Sequence, residues 1–277
     1  MLNTFAENSY DTPPGSRRCL MDRLLLGSNL YFTFQAFRWI HYGAVRAKTH
    51  SLEDFNQVYI RCALGVIDAV ERCGGRIHVR GLENFDKVNG PAVIVGNHMS
   101  FVETNNLSGI IGQRKRITYV IKSSLLKYPM FGDILRRINA VAVDRESAIA
   151  DFKTVMVEGT KRLQEGWSLV VFPQHTRSEV FRPAEFNSMG VKLAKKNGVP
   201  VIPLALKTDF CAKGTIIKDI GELRRERDLH YEFGAPIEIK GNGKEEHQQV
   251  VDFISSRLRS WGGVVDDTPA ATPGTDN

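Results

Sequence analysis

Between Leu24 and Phe37 the chain carries no charged residue, and aromatic side chains crowd the segment at Tyr31, Phe32, Phe34 and Phe37, with Trp39 and Tyr42 just beyond. Arg17, Arg18 and Arg23 precede it, and Arg38, Arg46 and Lys48 lie within or after its end. An apolar, aromatic helix edged by basic residues suits a membrane interface. Packing on the protein's own core or on a dimer partner is the alternative reading. A second helix is expected from Leu52 to Glu71, where Phe55, Val58, Tyr59, Cys62, Val66 and Val70 recur at three- and four-residue steps. Gly74-Gly75 stops it.

Past Gly75 the texture changes to short β-rich runs separated by helical stretches. Strands are expected at Arg76–Arg80, Ala92–Gly96, Ile117–Ile121, Val141–Val143, Ser168–Phe172, Val201–Ala205 and Tyr231–Phe233, with Ile237–Ile239 after the last. Helices are expected over Glu103–Ile111, Ala148–Glu165, Ser188–Lys196 and Glu245–Arg259. Near-continuous apolar strands separated by helices predict an α/β fold, with a largely parallel or mixed central sheet flanked by helices. Catalytic loops then sit at the carboxyl ends of strands. Residues 1–18, broken by Pro13-Pro14-Gly15, read as a flexible tail, as do residues 263–277. Between them lie an N-terminal helical element (19–75) and the α/β domain (76–262).

Composition narrows the class without choosing a function. With 42% hydrophobic and 25% charged residues the chain is globular rather than disordered throughout. The net charge of +6 suits an anionic partner: nucleic acid, an anionic membrane surface, or a phosphorylated or CoA-bearing substrate. The runs Arg114-Lys115-Arg116 and Arg224-Arg225 belong to no nucleic-acid-binding motif, so nucleic acid is not an expected partner. Cys19, Cys62, Cys73 and Cys211 are scattered without a C-x-x-C pair, which favours reduced thiols over a metal or redox motif. The polar first eighteen residues lack the apolar core of a secretory signal. No run reaches the roughly 18 apolar residues of a spanning helix. A soluble or monotopic protein facing the cytoplasm is expected.

The chemistry concentrates at strand ends. Ala92-Val-Ile-Val-Gly-Asn-His98 is an apolar strand running into a histidine, and Glu103 follows five residues later. On one continuous helix the two side chains would lie roughly 140° apart, so a turn between them is required. A carboxylate on one ring nitrogen fixes the tautomer and leaves the other nitrogen to take a proton from an attacking alcohol. A structural histidine beside a helix-capping acid is the competing reading of this short pattern.

Further along, Val170-Val-Phe-Pro-Gln-His-Thr-Arg-Ser178 brings a polar loop to a strand end. There Arg177 is suited to bidentate phosphate binding, and Thr176 and Ser178 offer hydroxyl donors. Lys122 and Arg145 also end strands, so with Arg177 they can form a cationic rim; solvated surface charges are the alternative. Gly198-Val-Pro-Val-Ile-Pro-Leu-Ala-Leu206 reads as a buried strand shaping an apolar wall.

The blocks NHMSFVE, IKSSLLKYPMFG…VAVDR, FPQHTRS and GVPVIPLAL resemble, in order and spacing, those of the lysophosphatidate acyltransferase family, over roughly residues 76–240. The resemblance implies a glycerolipid acyltransferase fold with a membrane-associating N-terminal helical element. It also implies acyl transfer from acyl-CoA or acyl-acyl carrier protein to the hydroxyl of 1-acylglycerol-3-phosphate or a related lysolipid, on the cytoplasmic face of a membrane. His98 would be the general base and Glu103 its orienting acid. Arg177, Arg145 and Lys122 would bind the acceptor phosphate, with Gln174, His175, Thr176 and Ser178 also in the substrate-binding set. No metal or cofactor is implied, the thioester being a co-substrate.

Two departures stand out. Glu103 replaces an aspartate, adding a methylene. Gln174-His175 replaces Glu-Gly, which changes the loop's charge and shape and leaves open a different acceptor (lysophospholipid, aminolipid or glycolipid) or a lipid- or carrier-binding protein without catalysis.

Overall fold

The computed structural model describes residues 4–26, 28–174, 176–214 and 219–269. In chain order the elements are β1 (Tyr10–Asp11), α1 (Leu20–Leu24), α2 (Leu30–Thr49), α3 (Leu52–Arg72), β2 (Ile77–Arg80), β3 (Val93–Gly96), α4 (Phe101–Ile111), β4 (Ile117–Lys122), α5 (Phe131–Arg137), β5 (Val141–Val143), α6 (Ala148–Gln164), β6 (Ser168–Val171), β7 (Val180–Phe181), α7 (Met189–Asn197), β8 (Val201–Lys207), β9 (Leu229–Phe233), α8 (Lys244–Ser260) and β10 (Val264–Val265). Eight strands form one mixed sheet in the order β1-β2-β9-β8-β3-β6-β4-β5. From β8 to β5 every neighbour is parallel, and β9 pairs antiparallel with β8. This is the expected α/β architecture.

Strands β3, β6 and β8 are buried along their whole length, which explains their unbroken apolar sequences. Side chains alternate between the two faces. Ile94, Val170 and Ile202 join the core with Ile67 of α3 and Leu107 of α4. Val93, Val95, Leu169 and Val171 join the opposite core with Val155 of α6, Val191 of α7 and Ile254 of α8. Helices therefore cover both faces of the sheet. Gly96 ends β3 where a Cβ would lie 2.9 Å from the Leu204 carbonyl oxygen of β8, so the strand end admits no side chain.

The N-terminal region forms a helical hairpin of α2 and α3. Ser51 caps α3 by accepting the Asp54 N–H. Trp39 of α2 lies so close to Gly65 of α3 that an added Cβ would be 1.9 Å from its indole, and only glycine permits that packing. Phe32 and Ala36 face inward, whereas Leu30, Phe34, Phe37 and Val45 form an exposed apolar stripe along α2, with Leu20, Met21, Leu24 and Leu26 exposed beside it. Among the described residues no helix is long and apolar enough to cross a membrane.

The structure corrects several local expectations. Within the expected tail 1–18, Phe5 is buried and β1 pairs antiparallel with β2. At the other end β10 pairs with β7, and Arg182 holds Asp266, so the chain packs beyond residue 263. The apolar aromatic segment is two helices rather than one: α1 ends at Leu24, and Asn29, whose side chain donates to the Gly221 carbonyl, precedes α2. Ile237 makes a single bridge to Val201 instead of beginning a strand.

Candidate active site

Parallel neighbours share one polarity, so β8, β3, β6, β4 and β5 deliver their carboxyl ends to the same edge of the sheet. The residues at or just past these strand ends are Lys207-Thr208, Asn97-His98, Phe172–Arg177, Lys122 and Asp144-Arg145. Blocks far apart in sequence meet there for this reason. Asn97 secures the β3 end: its side-chain amide donates to the Leu206 carbonyl (2.7 Å) and accepts the Leu206 N–H (2.8 Å).

His98 precedes α4, which begins at Phe101 after the N-cap Ser100, and the turn between them brings Glu103 back to the imidazole. His98 Nδ1 lies 2.6 Å from Glu103 Oε2. The other carboxylate oxygen, Oε1, accepts the N–H groups of Met99 (2.8 Å) and Ser100 (2.9 Å) and the Thr208 hydroxyl. Ser100 and Glu103 form a capping box, so one carboxylate oxygen caps α4 while the other lies against the imidazole. The extra methylene of glutamate is absorbed by this reach back to the N-cap. Glu103 is fully buried, and both its oxygens have hydrogen-bond partners, as a buried carboxylate requires. Its Oε2 lies against Nδ1 of His98, whose Nε2 makes no hydrogen bond among the described residues. Phe172 stacks on the imidazole, with ring centroids 4.4 Å apart and planes 7° from parallel.

Nε2 belongs to a side chain that lines a cavity of about 370 Å³. Phe37, Ile40, Phe101, Tyr119, Leu125 and Phe131 give it apolar walls, and Lys122, Arg145, Thr176 and Arg177 give it a polar, cationic side. Burial lowers the Arg145 pKa from its ordinary value, with the positive charge of Arg177 adding to the effect and Asp151 opposing it. Two guanidiniums beside an apolar cavity are able to receive an anion. Arg145 itself adopts a left-handed backbone (φ 63°), and Asp151 accepts the N–H groups of Asp144 and Arg145. Arg177 is ion-paired with Asp219, which also lines the cavity.

The remaining expected residues lie elsewhere. Gln174 Oε1 accepts the backbone N–H of His98 at 2.7 Å, and the Ser178 hydroxyl is engaged with the backbone of Val180. Both are turned to the protein's own backbone rather than to the cavity. His175 lies outside the described residues. Sequence reasoning did not single out Thr208, Asn97 or Asp219; a polar residue just past a buried strand was the available signal for the first two.

Two other features are distinct from this site. A wider groove of about 1300 Å³, lined by Lys87, Pro200, Ile237, Glu238 and Glu245, includes Pro200, just before β8, and so opens at the opposite edge of the sheet. His78, Asp228 and His230 are the described side chains spaced to hold a metal ion, their polar atoms lying within 4.8 Å of one another. Asp11 and Asp228 already take both nitrogens of His78, and its ring stacks on His230.

Comparison with known proteins gives a consistent result. Residues 76–207 match the family model described as Acyltransferase. Over 132 residues the chain is 36% identical to a 1-acyl-sn-glycerol-3-phosphate acyltransferase of Pseudomonas aeruginosa, covering 48% of this chain and 49% of that protein. It is 30% identical over 134 residues to a chloroplastic 1-acyl-sn-glycerol-3-phosphate acyltransferase of Arabidopsis thaliana, covering 47% and 36%. The matches thus span half or less of these relatives. The crystal structure of a 1-acyl-sn-glycerophosphate acyltransferase from Thermotoga maritima superposes with a TM-score of 0.65 at 22% identity, covering 87% of this chain and 96% of that one, and shows a shared fold.

Proposed function

We propose that this chain, whose residues 76–207 match the acyltransferase family model, is an O-acyltransferase that moves a fatty acyl group from acyl-CoA or acyl-acyl carrier protein to the hydroxyl of 1-acylglycerol-3-phosphate. One observation carries the reading: His98, oriented by Glu103 at 2.6 Å, faces a cavity that is apolar on one side and cationic on the other. His98 Nε2 takes the proton of the acceptor hydroxyl as its oxygen attacks the thioester carbonyl carbon. The tetrahedral intermediate collapses, the C–S bond breaks, and the imidazolium returns the proton to the leaving thiolate. Glu103 stabilises the imidazolium between these steps without itself taking the proton. Arg145, Arg177 and Lys122 receive the acceptor phosphate, and the Phe37–Ile40–Phe131 wall takes an acyl chain.

The α2 stripe supports action at a membrane surface. Leu30, Phe34 and Phe37 are exposed on one side of the helix, and Phe37 also lines the cavity, so an acyl chain has an apolar route from lipid to His98. Arg23 and Arg38 flank the stripe and suit anionic headgroups. The four unpaired thiols agree with a cytoplasmic face.

The test is thioester consumption by purified protein across a panel of lysolipid acceptors. Transfer to 1-acylglycerol-3-phosphate that His98→Ala abolishes is the expected result; transfer undiminished in His98→Ala, or none to any acceptor, rejects the reading. The Arg177–Asp219 pair favours a second acceptor class, a lysophospholipid with a substituted phosphate, because Asp219 offsets one of the three cations. Faster transfer to that acceptor in the same panel would select it.

A further inference from the structure

His98 lies two residues beyond the end of β3, where its peptide groups have no strand partner. Both are held by the loop that follows β6. Gln174 Oε1 accepts the His98 N–H at 2.7 Å, and the Ser178 N–H donates to the His98 carbonyl at 2.9 Å. At the start of the same loop, Phe172 covers one face of the imidazole. Between these contacts stand Thr176 and Arg177, on the cavity wall.

From this arrangement we infer that Gln174 is a positioning residue that clamps the backbone of His98, coupling the base to the loop that seats the acceptor's anionic group. The inference rests on the reading of His98 as the base. The amide is suited to the task because it accepts a hydrogen bond without carrying charge. A carboxylate in its place would accept the same N–H, yet it would set a second negative charge near an imidazole that already has Glu103. That charge would favour the imidazolium, which cannot act as a base until the pH is higher. Gln174 therefore supplies geometry without adding charge. A side chain that contacted substrate would instead govern acceptor affinity.

The experiment compares Gln174→Met, Gln174→Glu and the parent protein by steady-state kinetics over a range of pH and by backbone hydrogen exchange. Gln174→Met keeps the length and removes the acceptor. It is expected to lower kcat by roughly ten- to a hundredfold, as small displacements of a reacting group do, with the acceptor KM little changed. Exchange at the His98 amide should rise. Gln174→Glu restores the acceptor oxygen and should recover most of the kcat at high pH, with the acid limb of the rate profile moved up by about one pH unit.

A raised acceptor KM with unchanged kcat in Gln174→Met would make Gln174 a substrate ligand and overturn the inference. So would unaltered kinetics and exchange. Circular dichroism and thermal melting separate these outcomes from misfolding; if Gln174→Met unfolds, the pH profile of Gln174→Glu decides, an unmoved acid limb rejecting the inference. If the parent protein transfers no acyl group while His98 exchange still rises in Gln174→Met, the backbone clamp stands and the acyltransferase reading falls.

Discussion

Glu103 divides its two carboxylate oxygens between two tasks: Oε2 holds His98 Nδ1 at 2.6 Å, while Oε1 takes the amides that open α4. Replacing it with glutamine keeps the shape but brings an amide N–H against either the ring or the helix amides. Glu103→Gln is expected to lower kcat by roughly a hundredfold to ten-thousandfold, because the tautomer and the imidazolium both lose their support. Steady-state kinetics beside a thermal melt would check it. A variant with near-parental kcat would remove Glu103 from the mechanism.

Thr208 donates its hydroxyl to Glu103 from the end of β8, and Ser100 Oγ lies 3.0 Å from the same hydroxyl. Valine fills the same volume without a donor. Thr208→Val should cost about 1–2 kcal/mol of stability, measured by urea unfolding, with a smaller fall in kcat than Glu103→Gln produces.

Asp219 competes for Arg177 with any anion that enters the cavity. Asp219→Asn is expected to lower the KM for a phosphate-bearing acceptor several-fold and to make it more sensitive to salt, whereas Arg177→Ala raises that KM. An increased KM in Asp219→Asn would show that Asp219 serves to hold Arg177 in place.

Asp209 carries a pH-dependent part of the stability. Burial alone would raise its pKa, but hydrogen bonds and charge from Lys207 (3.0 Å) and Arg227 (2.5 Å) outweigh it and hold the pKa below the ordinary 3.8. A carboxyl group with a depressed folded pKa stabilises the fold above its unfolded pKa, and that contribution is lost as the pH falls through the folded value. Asp209→Asn should therefore be less stable than the parent near neutrality, by about 1.5–3 kcal/mol. The difference should shrink as the pH falls below the ordinary 3.8 and through the depressed folded value. Unfolding curves at a series of pH values give the comparison.

The exposed stripe on α2 predicts membrane binding that can be removed without unfolding the protein. Leu30→Glu with Phe34→Glu places charge where no core residue is disturbed, since both side chains are more than half exposed. Co-sedimentation with anionic vesicles is expected to fall sharply while the melting temperature holds. Unchanged sedimentation would assign the stripe to another partner.

Local pattern alone determined the alternation of strands and helices, the ending of β3 just before Asn97-His98, and the carboxylate five residues on, because periodicity and capping act over a few neighbouring residues. It also placed Lys122, Arg145 and Arg177 at strand ends. The tertiary structure decided what these groups do for one another. Gln174 reaches His98 across 76 positions, Thr208 reaches Glu103 across 105, and Asp219 takes Arg177 across 42. None of these pairs has a local signature, since each depends on which strands become neighbours and in what register. The same holds for the aromatic helix: its composition was legible, but only its packing on α3 shows that Phe32 and Ala36 turn inward while Phe34 and Phe37 stay exposed. Tyr10–Asp11 and Val264–Val265, within stretches polar enough to read as tails, are held by β1 pairing with β2 and β10 with β7, hydrogen bonds between backbone groups on which side-chain composition has little bearing.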